Sequence, residues 1–477
     1  MAQIPESMLE ATGTLELKVP DAGNLGVATA KPLTGGETGV REDNKLRLHD
    51  RAAHQWYRFV LSFPPHLVRE YVRKFGLSSR HKVLDPFCGT GTTVVECKKL
   101  GIPAIGLESN PMACFASRTK LQWSIDPQRL LCHARTVADT ASGRLERDGY
   151  YDDDSLRLLD RPAGEAAPLL RLPEEAAGLL LANSISPIPL HKTLVLLDAL
   201  AEHYDDCFIN HERLALANAL VNGISNLHFG PEIGVGPAKA DAPVVSLWLD
   251  GIRVMAQDLE NLPQGEGTEA VIHQADAREV ARVLPPLSVD AVITSPPYPN
   301  EKDYTRTTRL ESVLLGFIQS KEDLRQLKKR LVRSNTRGVY KADTDDTFVS
   351  GHPEIERIAA AIEQRRIELK KDSGFERLYA RLTKLHFGGM ARHLAELRRV
   401  LRPGAQLAYV VGDQASYLRV MIRTGQLLAD IAVSLSYEVT GIDLFRTRLA
   451  TATREQLREE VVLMRWPGTP ATPSTHP

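Results

Sequence analysis

Lys82-Val83-Leu84-Asp85-Pro86-Phe87-Cys88-Gly89-Thr90-Gly91-Thr92-Thr93 is the stretch on which the fold turns. Its apolar start reads as a buried strand, and its glycines read as a tight turn in which backbone can approach a ligand closely. Residues 94–100, Val-Val-Glu-Cys-Lys-Lys-Leu, then carry helical spacing closed by Gly101. A second strand follows at 104–108, Ala-Ile-Gly-Leu-Glu, and a second helix is predicted over 111–123. Such a βαβα opening predicts a parallel sheet with helices on both faces.

The same grammar resumes at 271–276, passes a short helix and continues at 289–294, which runs into Ser295-Pro296-Pro297-Tyr298. A helix over 390–400 ends at Leu401-Arg402-Pro403-Gly404 before a strand at 407–411, and 437–445 with 461–466 form a terminal hairpin. Seven strands emerge, interrupted twice. The expected organisation is a weakly patterned, disordered segment 1–45, a cofactor-binding half 46–124, and a mainly helical insertion 125–268. A catalytic part 269–298, a basic helical insertion 299–389, the C-terminal part of the sheet 390–466 and a disordered tail 467–477 complete it.

With 477 residues, 43% of them hydrophobic, the chain can bury a large core. A formal net charge of −1 gives no global field for nucleic acid, so any such contact must come from local basic patches. No apolar run is long enough to span a membrane, and the first residues lack a signal-peptide pattern, so a cytoplasmic protein is expected. The five cysteines form no Cys-x-x-Cys pair and suggest neither disulfides nor a metal site.

Two turns carry the chemistry. The glycine turn followed by a helix N-terminus suits NAD as well as S-adenosylmethionine, and Glu108 at the end of the second strand can accept both hydroxyls of a ribose or lie solvated in a loop. The second turn is unusual because neither Pro296 nor Pro297 offers an amide hydrogen and both fix φ, making a rigid strand end that presents carbonyls. The amine of a nucleobase is a weak nucleophile, its lone pair being delocalised into the ring. Acceptors aimed at its hydrogens, here the Ser295 hydroxyl and the Pro296 carbonyl, would stabilise positive charge as a methyl group arrives. The Tyr298 ring can stack on a base taken out of the helix.

Asp85-Pro86-Phe87-Cys88-Gly89-Thr90-Gly91-Thr92-Thr93 and Thr294-Ser295-Pro296-Pro297-Tyr298 together closely resemble the two motifs of the site-specific DNA amino-methyltransferases, specifically the cytosine-N4 type. That resemblance implies a Rossmann-like, seven-stranded S-adenosylmethionine-dependent methyltransferase sheet, α/β in class, with two large, mainly helical insertions. It implies S-adenosylmethionine held by Asp85, Pro86, Phe87, Gly89, Gly91, Thr92 and Glu108, with Asp276 meeting the adenine amine. Phe63 and Pro64 look like the segment that packs on the methionine end of the cofactor, or like plain core. Catalysis would fall to Ser295, Pro296, Pro297 and Tyr298, acting on double-stranded DNA in a restriction-modification system with a cognate restriction endonuclease. Adenine-N6 members more often carry Asp-Pro-Pro-Tyr, which favours cytosine here. An adenine-N6 enzyme on the same scaffold and a tRNA guanosine-N2 methyltransferase remain as alternatives. The motif order, cofactor turn first, departs from many Ser-Pro-Pro-Tyr members and leaves the location of target recognition open.

Carbon-5 methylation of cytosine needs a Pro-Cys nucleophile, and the chain has no such dipeptide. Glu368-Leu369-Lys370 matches a nuclease Glu-x-Lys but sits in a helical pattern without a partnering Asp. Between residues 301 and 340 there are ten Lys/Arg against five Asp/Glu, a net excess of +5 directly after the catalytic turn. Lys302, Arg306 and Arg309 are therefore the expected substrate contacts, the alternative being helix-surface charges paired with their acidic neighbours. The turn-rich stretch 226–236, with His228 and Phe229 available for stacking, is a second candidate for target recognition or a structural turn.

Overall fold

The alternation of side chains along the central strands divides the core into two layers. Val83, Ala291, Ile293, Ala408 and Val410 join one apolar cluster, while Leu84, Val292, Leu407, Tyr409 and Val411 join another. Successive strand residues point to opposite faces, so both faces of the sheet are covered. The computed structural model describes residues 46–58, 62–152, 166–229, 233–263, 267–300, 302–449 and 456–468. The expected terminal segment 1–45 and most of the tail 467–477 lie outside these, and all the described residues belong to one unit, Arg41–Pro477.

The described residues form nine strands: β1 (Val83–Asp85), β2 (Ala104–Leu107), β3 (Leu227–Phe229), β4 (Ile233–Val235), β5 (Ala270–His273), β6 (Val289–Thr294), β7 (Leu401–Gly412), β8 (Glu438–Leu449) and β9 (Gln456–Arg465). Seven of them form one sheet in the order β5-β2-β1-β6-β7-β9-β8. The first five are parallel, whereas β9 runs antiparallel to both β7 and β8. This is a seven-stranded, Rossmann-like α/β sheet. Chain direction across the sheet reverses between β1 and β6, where Val83 pairs with Ala291 and Leu84 with Val292. The glycine turn after β1 and the proline turn after β6 consequently emerge side by side, at the switch point where open α/β sheets take their ligands.

The helices of the two interruptions pack mainly on opposite faces, though Leu310, Leu314 and Leu315 of the second join the cluster of the first. Helices Pro127–Arg147, Pro187–Glu202, Ile209–Ala219 and Val244–Asn261 of the first bury Val137, Leu196, Leu216 and Trp248 in the cluster under Val83. Helices Pro353–Glu368 and Tyr379–Leu397 bury Ile355, Ile358, Leu382 and Phe387 in the cluster over Leu84.

Several boundaries differ from the sequence expectation. The helix predicted over 111–123 stops at Thr119; beyond it Lys120 donates to Thr90 O in the glycine turn and Trp123 Nε1 donates to Lys120 O. Leu401-Arg402-Pro403-Gly404 is not a turn before β7 but its irregular start: Leu401 pairs with Val289 and Gln406 with Ala291, and the extra residues bulge at Gly404, φ +86°. A bulge accommodates the proline that a regular ladder would exclude. The stretch 226–236 forms the antiparallel pair β3–β4, with His228 opposite Gly234; residues 230–232 and the side chain of Phe229 lie outside the described residues. The helix through Glu368 ends there, and Lys370 follows at φ +52°.

Candidate active site

Both turns open into one cavity of about 680 Å³, within the range of small-molecule sites. Phe63, Pro86, Phe87, Gly89, Thr92, Glu108 and Asp276 line it from the cofactor side. Ser295, Pro296, Pro297, Tyr298, Lys302 and Arg306 line it from the other.

The glycine turn is held from beneath. Asp85 is fully buried; its Oδ1 accepts from Thr294 Oγ1 at 2.6 Å and from the Phe87 amide at 3.1 Å. Burial pushes its carboxyl up to about 6 against those hydrogen bonds. Asp85 thus does not line the cavity but ties β1 to the end of β6. Thr93 Oγ1 adds a second clip, donating to Ile293 O at 3.0 Å. Gly91 has φ +90°, and a Cβ there would lie 3.0 Å from Ser117 Cβ, so it too shapes the turn without facing the cavity. Lys120 is buried at 1% exposure, and its ammonium donates to Thr90 O at 3.0 Å.

At the end of β2 the Glu108 carboxylate accepts from the Gly89 amide at 2.8 Å and the Asn110 amide at 2.7 Å. Burial nevertheless pushes its carboxyl up to about 7, the two amides opposing that rise. Each oxygen retains a lone pair, so the carboxylate can still accept hydroxyls from the cavity. Asp276 is differently placed. Both of its oxygens are engaged by Arg278, with Oδ2 to Nη2 at 2.6 Å, and Arg278 in turn pairs with Asp345. Any acceptor role toward an adenine amine must use the remaining lone pairs. The Phe87 ring meets the His393 ring edge-on at 4.9 Å. His393 is buried between Ala277 O and the Tyr409 hydroxyl, where desolvation lowers its pKa to about 4 and keeps it neutral.

On the opposite wall, Ser295 Oγ donates to Val410 O at 3.1 Å. With its only proton committed, the oxygen faces the cavity as an acceptor. The Pro296 carbonyl takes no hydrogen bond among the described residues. The Tyr298 ring lies over Gly412 of β7, where a Cβ would sit 3.0 Å from Cε2.

Sequence reasoning did not single out three further sets of residues. Thr93 and Thr294, members of the two motifs but given no role there, and Lys120, a lone polar residue with no pattern, hold the turns. Ser109 Oγ lies 2.8 Å from Ala275 O and 3.2 Å from Arg330 O, fastening 330–332 of the second interruption against the cavity, which Arg330, Leu331 and Val332 also line. Gln414 and Ser416, beyond β7, close the far side. One expected contact is corrected: Arg309 is buried at 8% exposure away from the cavity, and its guanidinium is spent on Thr305 O, Thr305 Oγ1 and Leu179 O. It braces the helix Arg309–Leu314 instead of reaching a substrate.

The strand order places the glycine turn after β1 and the proline turn after β6 side by side on one cavity. The DNA methylase family profile matches residues 38–118. The chain is 25% identical over 434 residues, 85% of its length and 82% of the relative's, to the Type II methyltransferase M.BsoBI of Geobacillus stearothermophilus. It is 23% identical over 464 residues to M.AvaI of Nostoc, covering 89% and 91% of the two chains. A shorter match, 41% over 77 residues, covers 16% of the chain and 14% of M.MjaII of Methanocaldococcus jannaschii. These matches make the chain similar to site-specific DNA amino-methyltransferases. Among solved structures, TrmN from Thermus thermophilus matches at a TM-score of 0.21 and 11% identity, covering 84% of this chain and 48% of that one, and carries no argument. Among the described residues no cluster of His, Cys, Asp and Glu could hold a metal ion, and no helix is long and apolar enough to cross a membrane.

Proposed function

We propose that the chain methylates the exocyclic N4 amine of a cytosine flipped out of double-stranded DNA, as the modification arm of a restriction-modification pair. The observation that carries this reading is the convergence of Glu108 and Phe87, from the glycine turn and β2, with Ser295 and Tyr298 on one cavity. S-adenosylmethionine fits the cofactor side: an acceptor carboxylate at the end of β2, a turn able to approach closely, and the apolar walls of Phe87, Leu107 and Val332 suit an adenosyl group. Bound there, it supplies an electrophilic methyl group on a sulfonium.

The protein's own contribution is positioning and charge. Ser295 Oγ and the Pro296 carbonyl accept the two amine hydrogens, drawing the lone pair out of the ring and stabilising the positive charge that grows on nitrogen. Tyr298, backed by Gly412, offers its open face for stacking on the base. No nucleophilic side chain is needed, since the amine itself attacks. The test is direct: incubate purified protein with unmethylated plasmid DNA and S-adenosylmethionine, digest to nucleosides and identify the product. N4-methylcytosine supports the reading; N6-methyladenine as the sole product transfers it to adenine, and methylation of tRNA alone removes DNA as the substrate.

A further inference from the structure

Among the ten cations between 301 and 340, Arg306 stands apart. Its neighbours are internally satisfied: Arg309 by Thr305 and Leu179, Lys328 by Asp303 at 3.0 Å, and Arg333 by Asp343 at 2.6 Å. Arg306 lines the cavity, yet its Nε is buried with no hydrogen-bond partner, and the guanidinium makes no ion pair among the described residues. Asp303, three residues away, makes no ion pair with it, its oxygens instead taking the amide and hydroxyl of Thr305 and Lys328. A buried guanidinium nitrogen without an acceptor is costly, and the cost is removed if a ligand supplies one.

Position indicates which ligand. Tyr304, two residues before Arg306, also lines the cavity, and its hydroxyl takes a backbone hydrogen bond from Tyr298. Arg306 therefore projects from the segment fastened to the proposed base-stacking residue, whereas the Phe63 and Thr92 region serves the cofactor. A base whose amine points at Ser295 and Pro296 turns its remaining Watson–Crick edge elsewhere in the cavity. In cytosine that edge carries two adjacent acceptors, N3 and O2. In adenine it carries only N1, followed by a C–H. A guanidinium fork matches an adjacent acceptor pair, as when arginine reads O6 and N7 of guanine.

We propose that Arg306 reads the target base, donating to N3 and O2 of the flipped cytosine, and so sets the preference for cytosine over adenine. This rests on the methylation reading above but concerns a different residue and a different atom pair. The tests use the full chain, with Arg306→Met and with Arg306→Lys, which keeps the charge and loses the fork. Product nucleosides from plasmid DNA, S-adenosylmethionine affinity without DNA, and the salt dependence of DNA binding are measured for each, with thermal melts to establish folding.

Both variants are expected to lose cytosine methylation by about 10- to 100-fold, the discrimination of one bidentate contact. Cofactor affinity and the salt slope should match those of the unmodified chain. Full rescue by lysine, with a salt slope reduced by about 1 in the methionine variant, would place Arg306 on a phosphate and overturn the proposal. Weakened cofactor binding without DNA would assign it to the methionine carboxylate and overturn it equally. If the unmodified chain yields no N4-methylcytosine, the reading of the function fails first, whatever the variants do.

Discussion

Glu108 shows how a single carboxylate can set the pH range of the site. Its pKa in the fold is raised from the ordinary carboxylate range to about 7, so below that pH it is largely protonated. Hydroxyls donate best to the ionised form, so a ribose should bind it in preference. The sign follows: cofactor affinity should rise with pH up through about 7 and level off above, by no more than about tenfold per unit. Calorimetric titration of S-adenosylmethionine from pH 5.5 to 8.5 would measure this, and Glu108→Gln should flatten the profile. A slope unchanged in that variant would place the titrating group elsewhere. Thr294 acts at the same scale but on stability. Thr294→Val removes a donor from Asp85, whose Oδ2 is already buried without a partner. Oδ1 would keep only the Phe87 amide, and a loss of about 1–3 kcal/mol in urea unfolding is expected, the worth of one buried hydrogen bond to a carboxyl group.

At the scale of elements, β7 does more than extend the sheet. Val410 accepts from Ser295, Gly412 makes room for the Tyr298 ring, and Gln414 just beyond the strand lines the cavity. Gly412→Ala would put a methyl 3.0 Å from the Tyr298 ring, which must then shift. Turnover should fall by up to about tenfold while cofactor affinity holds, because a shift of a few tenths of an ångström at a positioning residue is a fraction of the ~1 Å misplacement that costs about a hundredfold; equal losses in both would mean the strand itself had been disturbed. The order and direction of such elements were largely legible in the sequence. Apolar runs at 83–84, 104–107 and 289–294 alternate with helical patterns, and two rigid turns end the first and fourth sheet strands. What was not legible depends on contacts distant in sequence. Nothing near Arg309 announced that Leu179 would take its guanidinium. Nor did the basic composition of 321–333 show that 330–332 would line the cavity, since that depends on Ser109, some 220 residues earlier. The irregular start of β7 escaped for a local reason: Pro403-Gly404 reads as a turn unless the partner strand's register is known.

Across the whole molecule, the two interruptions pack mainly on opposite faces of one sheet, and their charge is spent unevenly. A net charge of −1 leaves DNA attraction to local cations, yet much of the basic segment after the catalytic turn is consumed internally, by Asp303, Asp343 and backbone carbonyls. Lys329 and Arg330 differ. Both are exposed at the C-terminal end of helix Lys321–Lys329, neither side chain makes an ion pair among the described residues, and Arg330 borders the cavity. Under the proposed function, these are the cations expected to meet a phosphate next to the target base. Each phosphate neutralised releases condensed counterions and adds about 0.9 to the slope of log affinity against log salt. Replacing both with Gln should therefore lower that slope by about two and weaken binding to all duplexes alike. Fluorescence anisotropy across a salt series, with duplexes of unrelated sequence, measures both quantities. An unchanged slope would move the DNA path off this face of the second interruption, whereas a slope change confined to one sequence would make these residues readers of sequence and not anchors.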